Sequence, residues 1–82
     1  MIVKPPRPDL IKYLKKHNLL KKFNKQIKIF QTNYRHPSLN TEILEPKKLR
    51  IYSFRVDKKY RAIFIILSDC ETEIIDINCH YQ

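Results

Sequence analysis

Eighty-two residues make one domain, and one this small buries only about 60–65% of the surface its unfolded chain exposes. Seventeen Lys and Arg against eight Asp and Glu leave a net charge of +9. Two cysteines, Cys70 and Cys79, are too few for a disulfide framework, no CxxC pair or histidine cluster marks a metal site, and the longest apolar run, Ala62 to Leu67, is too short to cross a bilayer.

Ile2-Val3 reads as a short edge strand, stopped by Pro5, Pro6 and Pro8. Pro8-Asp9 is a good helix start, with the carboxylate near the positive end of the helix dipole. Leu10, Tyr13, Leu14 and His17 recur at helical spacing, and Asn18 interrupts them. Leu20, Phe23, Ile27 and Phe30 then step by threes and fours, with Lys21, Lys22, Lys25 and Lys28 mostly on the other side. The pattern fits two helices, or one with a break near Asn18, and Pro37 closes the region. Residues 36–50, with Pro37, Ser38, Asn40 and Pro46, read as a loop.

Three β-type runs follow: Tyr52 to Val56, Tyr60 to Ile66, and Ile74 to Tyr81. Asp57-Lys58-Lys59 and Ser68-Asp69-Cys70-Glu71 are the expected hairpin turns. The chain has no glycine, so its turns must draw on Asp, Asn, Ser and Lys. The predicted fold is α+β: a small antiparallel sheet, made of the short N-terminal strand and the C-terminal three-strand meander, with two N-terminal helices packed on one face.

The charge is lopsided along this order. Residues 1–41 hold ten Lys and Arg and one acid, Asp9, whereas residues 42–82 hold seven of each sign. The positive field therefore belongs to the helical half and favours a polyanion, either a phosphate backbone or an acidic protein. A merely solvated lysine face is the plain alternative. A membrane surface is disfavoured, because the apolar helix faces are needed to cover the sheet. The first 20 residues hold Lys4, Arg7, Lys12, Lys15 and Lys16 and no apolar run, so no signal peptide is read and a cytoplasmic location is expected.

Alternation sets the faces of the strands. Tyr52, Phe54 and Val56 share one face, and Ser53 and Arg55 the other; Arg61 points opposite to Tyr60 and Ala62. In the last run Asp76, Asn78 and His80 share a face. In a meander Arg55, Arg61 and His80 converge on the open face. Cleaving RNA without a metal needs an activated 2′-hydroxyl, cations for the five-coordinate phosphorus and an acid for the leaving 5′-oxygen. Arginine suits the second role and histidine the acid or base. The bland readings are that Arg61 pairs with a sheet-face acid such as Asp76, that His80 is merely exposed, that Tyr81 plugs the core, and that Lys47, Lys48 and Arg50 are a solvated run.

The run Pro37-Ser38-Leu39 and the stretch from Leu49 through Tyr52-Ser53-Phe54-Arg55-Val56-Asp57-Lys58-Lys59-Tyr60-Arg61 to Phe64 resemble the RelE/ParE superfamily of toxins from toxin–antitoxin pairs. The resemblance implies a ribosome-dependent endoribonuclease that cuts messenger RNA and leaves a 2′,3′-cyclic phosphate, as in the RelE branch. It makes Arg61 the phosphate-stabilising arginine and Arg55 a second cation. His80 and Tyr81 are similar to the C-terminal His-Tyr of the YoeB branch, where the histidine moves a proton. Ser53 stands where RelE proper has a basic lysine. The YoeB branch also has serine there and draws on a glutamate from the preceding loop, where this chain offers His36, Glu42 and Glu45. Lys47, Lys48, Arg50, Lys21, Lys22, Lys25 and Lys28 are the expected RNA- and ribosome-binding residues. The implied partners are the ribosome, messenger RNA and a cognate antitoxin with an acidic C-terminal segment, with no metal or small-molecule cofactor. Two other functions share the fold: a ParE-like DNA gyrase poison without enzymatic activity, and an inactive relative that binds antitoxin or RNA.

Overall fold

The computed structural model describes residues 1–68 and 70–79. In chain order the elements are β1 (Ile2–Val3), α1 (Pro8–Lys16), α2 (Leu20–Thr32), β2 (Glu42–Ile43), β3 (Ile51–Arg55), β4 (Tyr60–Ser68) and β5 (Glu71–Cys79), with single 3₁₀ turns at Pro37–Leu39 and Lys47–Leu49. The strands form one sheet in the order β1-β5-β4-β3-β2. No helix among the described residues is long and apolar enough to cross a membrane.

Asn18 separates two helices. It takes a left-handed conformation (φ 57°) just past the end of α1. Its N–H donates to the Lys15 carbonyl at 3.1 Å and that of Leu19 to the Leu14 carbonyl at 2.7 Å, and both leucines are buried. This is the Schellman closure, with asparagine where glycine is usual. Asn40 (φ 44°) and Arg50 (φ 52°) end the two 3₁₀ turns in the same conformation. In a chain without glycine these three side chains bear the cost of left-handed backbone.

The meander is as expected, with β3, β4 and β5 pairing antiparallel in sequence. Two expectations fail. The sheet is mixed, because β1 lies parallel to β5, pairing Ile2 with Glu71 and Val3 with Thr72. A two-residue strand carries no pattern that encodes direction. The region 36–50 is also more than a loop: Glu42 and Ile43 form an edge strand opposite Ser53 and Tyr52.

The helices cover one sheet face. Phe23 and Phe30 of α2 meet Phe54 and Phe64 of the sheet, with ring centroids 5.2 to 6.4 Å apart. Leu10, Leu14, Leu19, Val56, Ala62, Ile74 and Ile77 complete the core. The 3.6-residue pattern did not mark Gln26, yet it is buried on α2. Its amide donates to the Ser38 carbonyl at 3.1 Å and the Arg55 carbonyl at 2.7 Å, pinning α2 both to the 3₁₀ turn and to the end of β3. Replacing Gln26 by Met keeps the volume and removes both bonds. It is expected to cost roughly 1–3 kcal/mol, because two carbonyls lose their donor. Thermal melting should register this as a fall of about 4–8 °C per kcal/mol.

The turn between β3 and β4 is built on Asp57. Its Oδ1 accepts from the Lys59 and Tyr60 N–H groups, both at 2.9 Å, and Lys22 reaches Oδ2 at 3.4 Å. Burial alone would raise the Asp57 pKa; the two N–H groups and Lys22 outweigh it and hold the carboxyl below its ordinary value. A depressed folded pKa stabilises the fold above the unfolded carboxyl pKa, and this contribution is lost as pH falls through the folded value. Acid titration of the melting temperature below about pH 4 should therefore fall less steeply in Asp57→Asn than in the native chain.

Candidate functional site

The packing of Phe54 and Phe64 against α2 turns their neighbours to the uncovered face. There Arg55 stands directly opposite Arg61, and Arg61 opposite Asn78, in one row across β3, β4 and β5. Like charges directly opposite on a sheet are destabilising, so the pair must be compensated by its surroundings or by an anion.

The two arginines differ. Arg55 is exposed, whereas Arg61 is only 5% exposed. The Arg61 side chain leans along the strand over Ser53, which is itself buried. Nε donates to Ser53 Oγ at 2.9 Å, and Nη2 donates to the carbonyls of Ser53 (3.2 Å) and Asn40. Glu42 Oε1 lies 3.9 Å from the same Nη2. Nη1 makes no hydrogen bond among the described residues. Burial lowers the Arg61 pKa; Glu42 opposes that shift and Arg55 adds to it. A guanidinium still stays charged. One side of Arg61 is thus fixed by protein acceptors.

Glu42 is the residue that sequence reasoning left without a position. Its pairing with Ser53 puts its carboxylate on the open face beside the arginines. Two residues are too few for alternation to reveal a strand, so no periodic signal marked it. His36 is engaged elsewhere: its Nδ1 accepts from the Ser38 N–H at 3.1 Å and caps the 3₁₀ turn. Glu45 falls outside the strand pairing. Arg61 does not pair with Asp76, which stands opposite Ile63 two pairs further along.

His80 and Tyr81 lie outside the described residues. Lys47, Lys48 and Arg50 are exposed at the start of β3, about 16 Å along the strand from Arg55. Lys21, Lys22, Lys25 and Lys28 are exposed on α2, across the thickness of the domain from the arginine row, and Lys22 is engaged with Asp57. The structure brings together Arg55, Arg61, Ser53 and Glu42, and sets the lysines on two other surfaces.

No protein-family model and no curated protein matches the sequence. Solved structures do match in fold. The chain is similar to a YoeB/ParE toxin from Agrobacterium tumefaciens (17% identity, 98% of this chain and 96% of that one, TM-score 0.71). It is similar to a chain of the heterotetrameric YoeB–YefM toxin–antitoxin complex from Staphylococcus aureus (21% identity, 99% and 93%, TM-score 0.67). It also resembles YafQ from Escherichia coli BL21(DE3) (11% identity, 95% and 89%, TM-score 0.71). The chain therefore shares its fold with these structures, over nearly the full length of both partners in each comparison.

Replacing Ser53 by Ala removes the acceptor for Arg61 Nε and should cost roughly 1–3 kcal/mol. The sharper readout is exchange of the Arg61 Nε–H with water by NMR. It should be slow in the native chain and fast in Ser53→Ala. Native exchange as fast as that of Arg55 would mean that the buried seat is not formed.

Proposed function

We propose that the chain is the toxin of a toxin–antitoxin pair and cleaves messenger RNA on the ribosome without a metal ion. The observation that carries this reading is the facing pair Arg55 and Arg61, one exposed and one anchored, with Glu42 at its edge. The fold shared with YoeB/ParE- and YafQ-type toxins supports it. Glu42 takes the proton of the 2′-hydroxyl, and the 2′-oxygen attacks the adjacent phosphorus. Arg61 Nη1 and Arg55 neutralise the charge that builds on the phosphoryl oxygens. The bond to the 5′-oxygen breaks, that oxygen takes a proton from His80, and a 2′,3′-cyclic phosphate remains. Fixing Arg61 by protein acceptors before substrate arrives spares reorganisation during the reaction.

The lysines of α2 and the Lys47, Lys48 and Arg50 group bind ribosomal RNA through its phosphates, and an acidic antitoxin competes for that field. Cytoplasmic action follows from the ribosome as partner.

The test is induction of the chain alone, with primer-extension mapping of cellular transcripts within minutes. Cuts in translated regions should appear. Arg61→Ala and Glu42→Gln should each slow cleavage roughly a hundredfold to a thousandfold. Growth arrest with intact transcripts would replace this reading with gyrase poisoning. Neither arrest nor cuts would leave an inactive relative.

A further inference from the structure

The 3₁₀ turn Pro37–Leu39 is short, yet both arginines of the facing pair are tied to it. Leu39, with no exposed surface, anchors it in the core. The Gln26 amide bonds the carbonyls of Ser38 and Arg55, so one side chain clamps the turn to the backbone that carries Arg55. Asn40 closes the turn in the left-handed conformation, its N–H donating to the Pro37 carbonyl at 3.0 Å. The Asn40 carbonyl in turn accepts from Arg61 Nη2. The other hydrogen-bond acceptors of Arg61 belong to Ser53, inside β3. That strand is flanked by strands on both sides, which hold Ser53 in place. The Asn40 carbonyl owes its place to the turn.

His36 joins that turn to the end of α2. Its N–H donates to the Asn33 carbonyl at 2.9 Å, its carbonyl accepts from the Leu39 N–H at 3.1 Å, and its Nδ1 accepts from the Ser38 N–H at 3.1 Å. The last of these is a side-chain cap of the kind that Asn or Asp usually supplies. It sets the tautomer: Nδ1 is the bare nitrogen, so the neutral ring carries its proton on Nε2. Ser38 is thereby held twice, at its N–H by His36 and at its carbonyl by Gln26.

We propose that His36 is a positioning residue for Arg61, acting through Nδ1, the 3₁₀ turn and the Asn40 carbonyl, and that its other nitrogen takes no part in the reaction. The inference rests on the reading above in giving Arg61 the phosphate; the mechanical link from His36 to the guanidinium does not. Without the cap the Ser38 N–H loses its acceptor, the turn loosens, and Arg61 keeps only its bonds to Ser53 among these three. The guanidinium then swings about those bonds, and a displacement of about 1 Å can cost about a hundredfold in rate. A partial loosening costs less. It falls on the reaction step rather than on binding, because Arg55 and the lysines are exposed and still meet the RNA.

Asn and Gln separate the two ring nitrogens. The Asn side-chain oxygen sits where Nδ1 sits, and the Gln amide reaches to where Nε2 sits, so His36→Asn keeps the cap and His36→Gln does not. His36 is exposed, so neither change disturbs the core. The experiment uses the full chain, isotope-labelled, with cleavage followed on ribosomes programmed with messenger RNA. Arg61 Nη1 and Nη2 give separate NMR signals while rotation about the Nε–Cζ bond is restrained. They should stay separate in the native chain and in His36→Asn, and merge in His36→Gln and His36→Ala. The latter two should lower kcat roughly tenfold with KM within about twofold of native, whereas His36→Asn restores the native rate. The proposal is overturned if the Gln and Ala variants keep separate signals and native rates. It is also overturned if His36→Asn is as slow as His36→Ala, which would make Nε2 a reacting group. If the native chain cuts no message, the nuclease reading falls and the NMR signals alone decide whether His36 seats Arg61.

Discussion

Phe23 and Phe30 packing on Phe54 and Phe64 sets the parity of every residue on the central strands. Side chains alternate along a strand, so burying Phe54 turns Ser53 and Arg55 outward, and burying Ala62 and Phe64 does the same for Arg61. A slip of one residue would bring the arginines into the core and expose the phenylalanines. The hydrophobic contact thus excludes the alternative and aims the arginines without touching them. Gln26 adds a buried polar fixture on that side, tying the helix to the backbone of Arg55.

Arg61 shows how a small domain retains a charge it has largely withdrawn from water. Removing a guanidinium from solvent is costly unless its donors are satisfied. Here two backbone carbonyls and a serine hydroxyl satisfy one side, and Glu42 supplies opposite charge at 3.9 Å. Arg55 supplies the opposing tension.

Much of this was legible in the sequence because it follows from periodicity. The helices, the break at Asn18, the meander, its Asp57 turn and the outward direction of Arg55 and Arg61 all rest on spacings of 2 or 3.6 residues or on known turn chemistry. Glu42 and the strand that holds it were not legible, since two residues make no period. The parallel pairing of β1 was hidden for the same reason. Gln26 was hidden because its position depends on carbonyls at Ser38 and Arg55, which are remote in sequence and adjacent only in space. The register that puts Arg55 opposite Arg61 is fixed by the Asp57 turn, so that turn chemistry does more for the site than any residue in it.

The shortness of β2 has a consequence of its own. It is an edge strand that pairs with β3 over two residues, and both of its residues are exposed. Segments with few buried contacts open at free energies well below that of global unfolding. Such an opening would carry Glu42 away from Arg61 and loosen Asn40 while the phenylalanine core stayed closed. The complete arginine seat is then one member of a native ensemble, and its population is set by the fraying equilibrium of a single edge rather than by the stability of the fold.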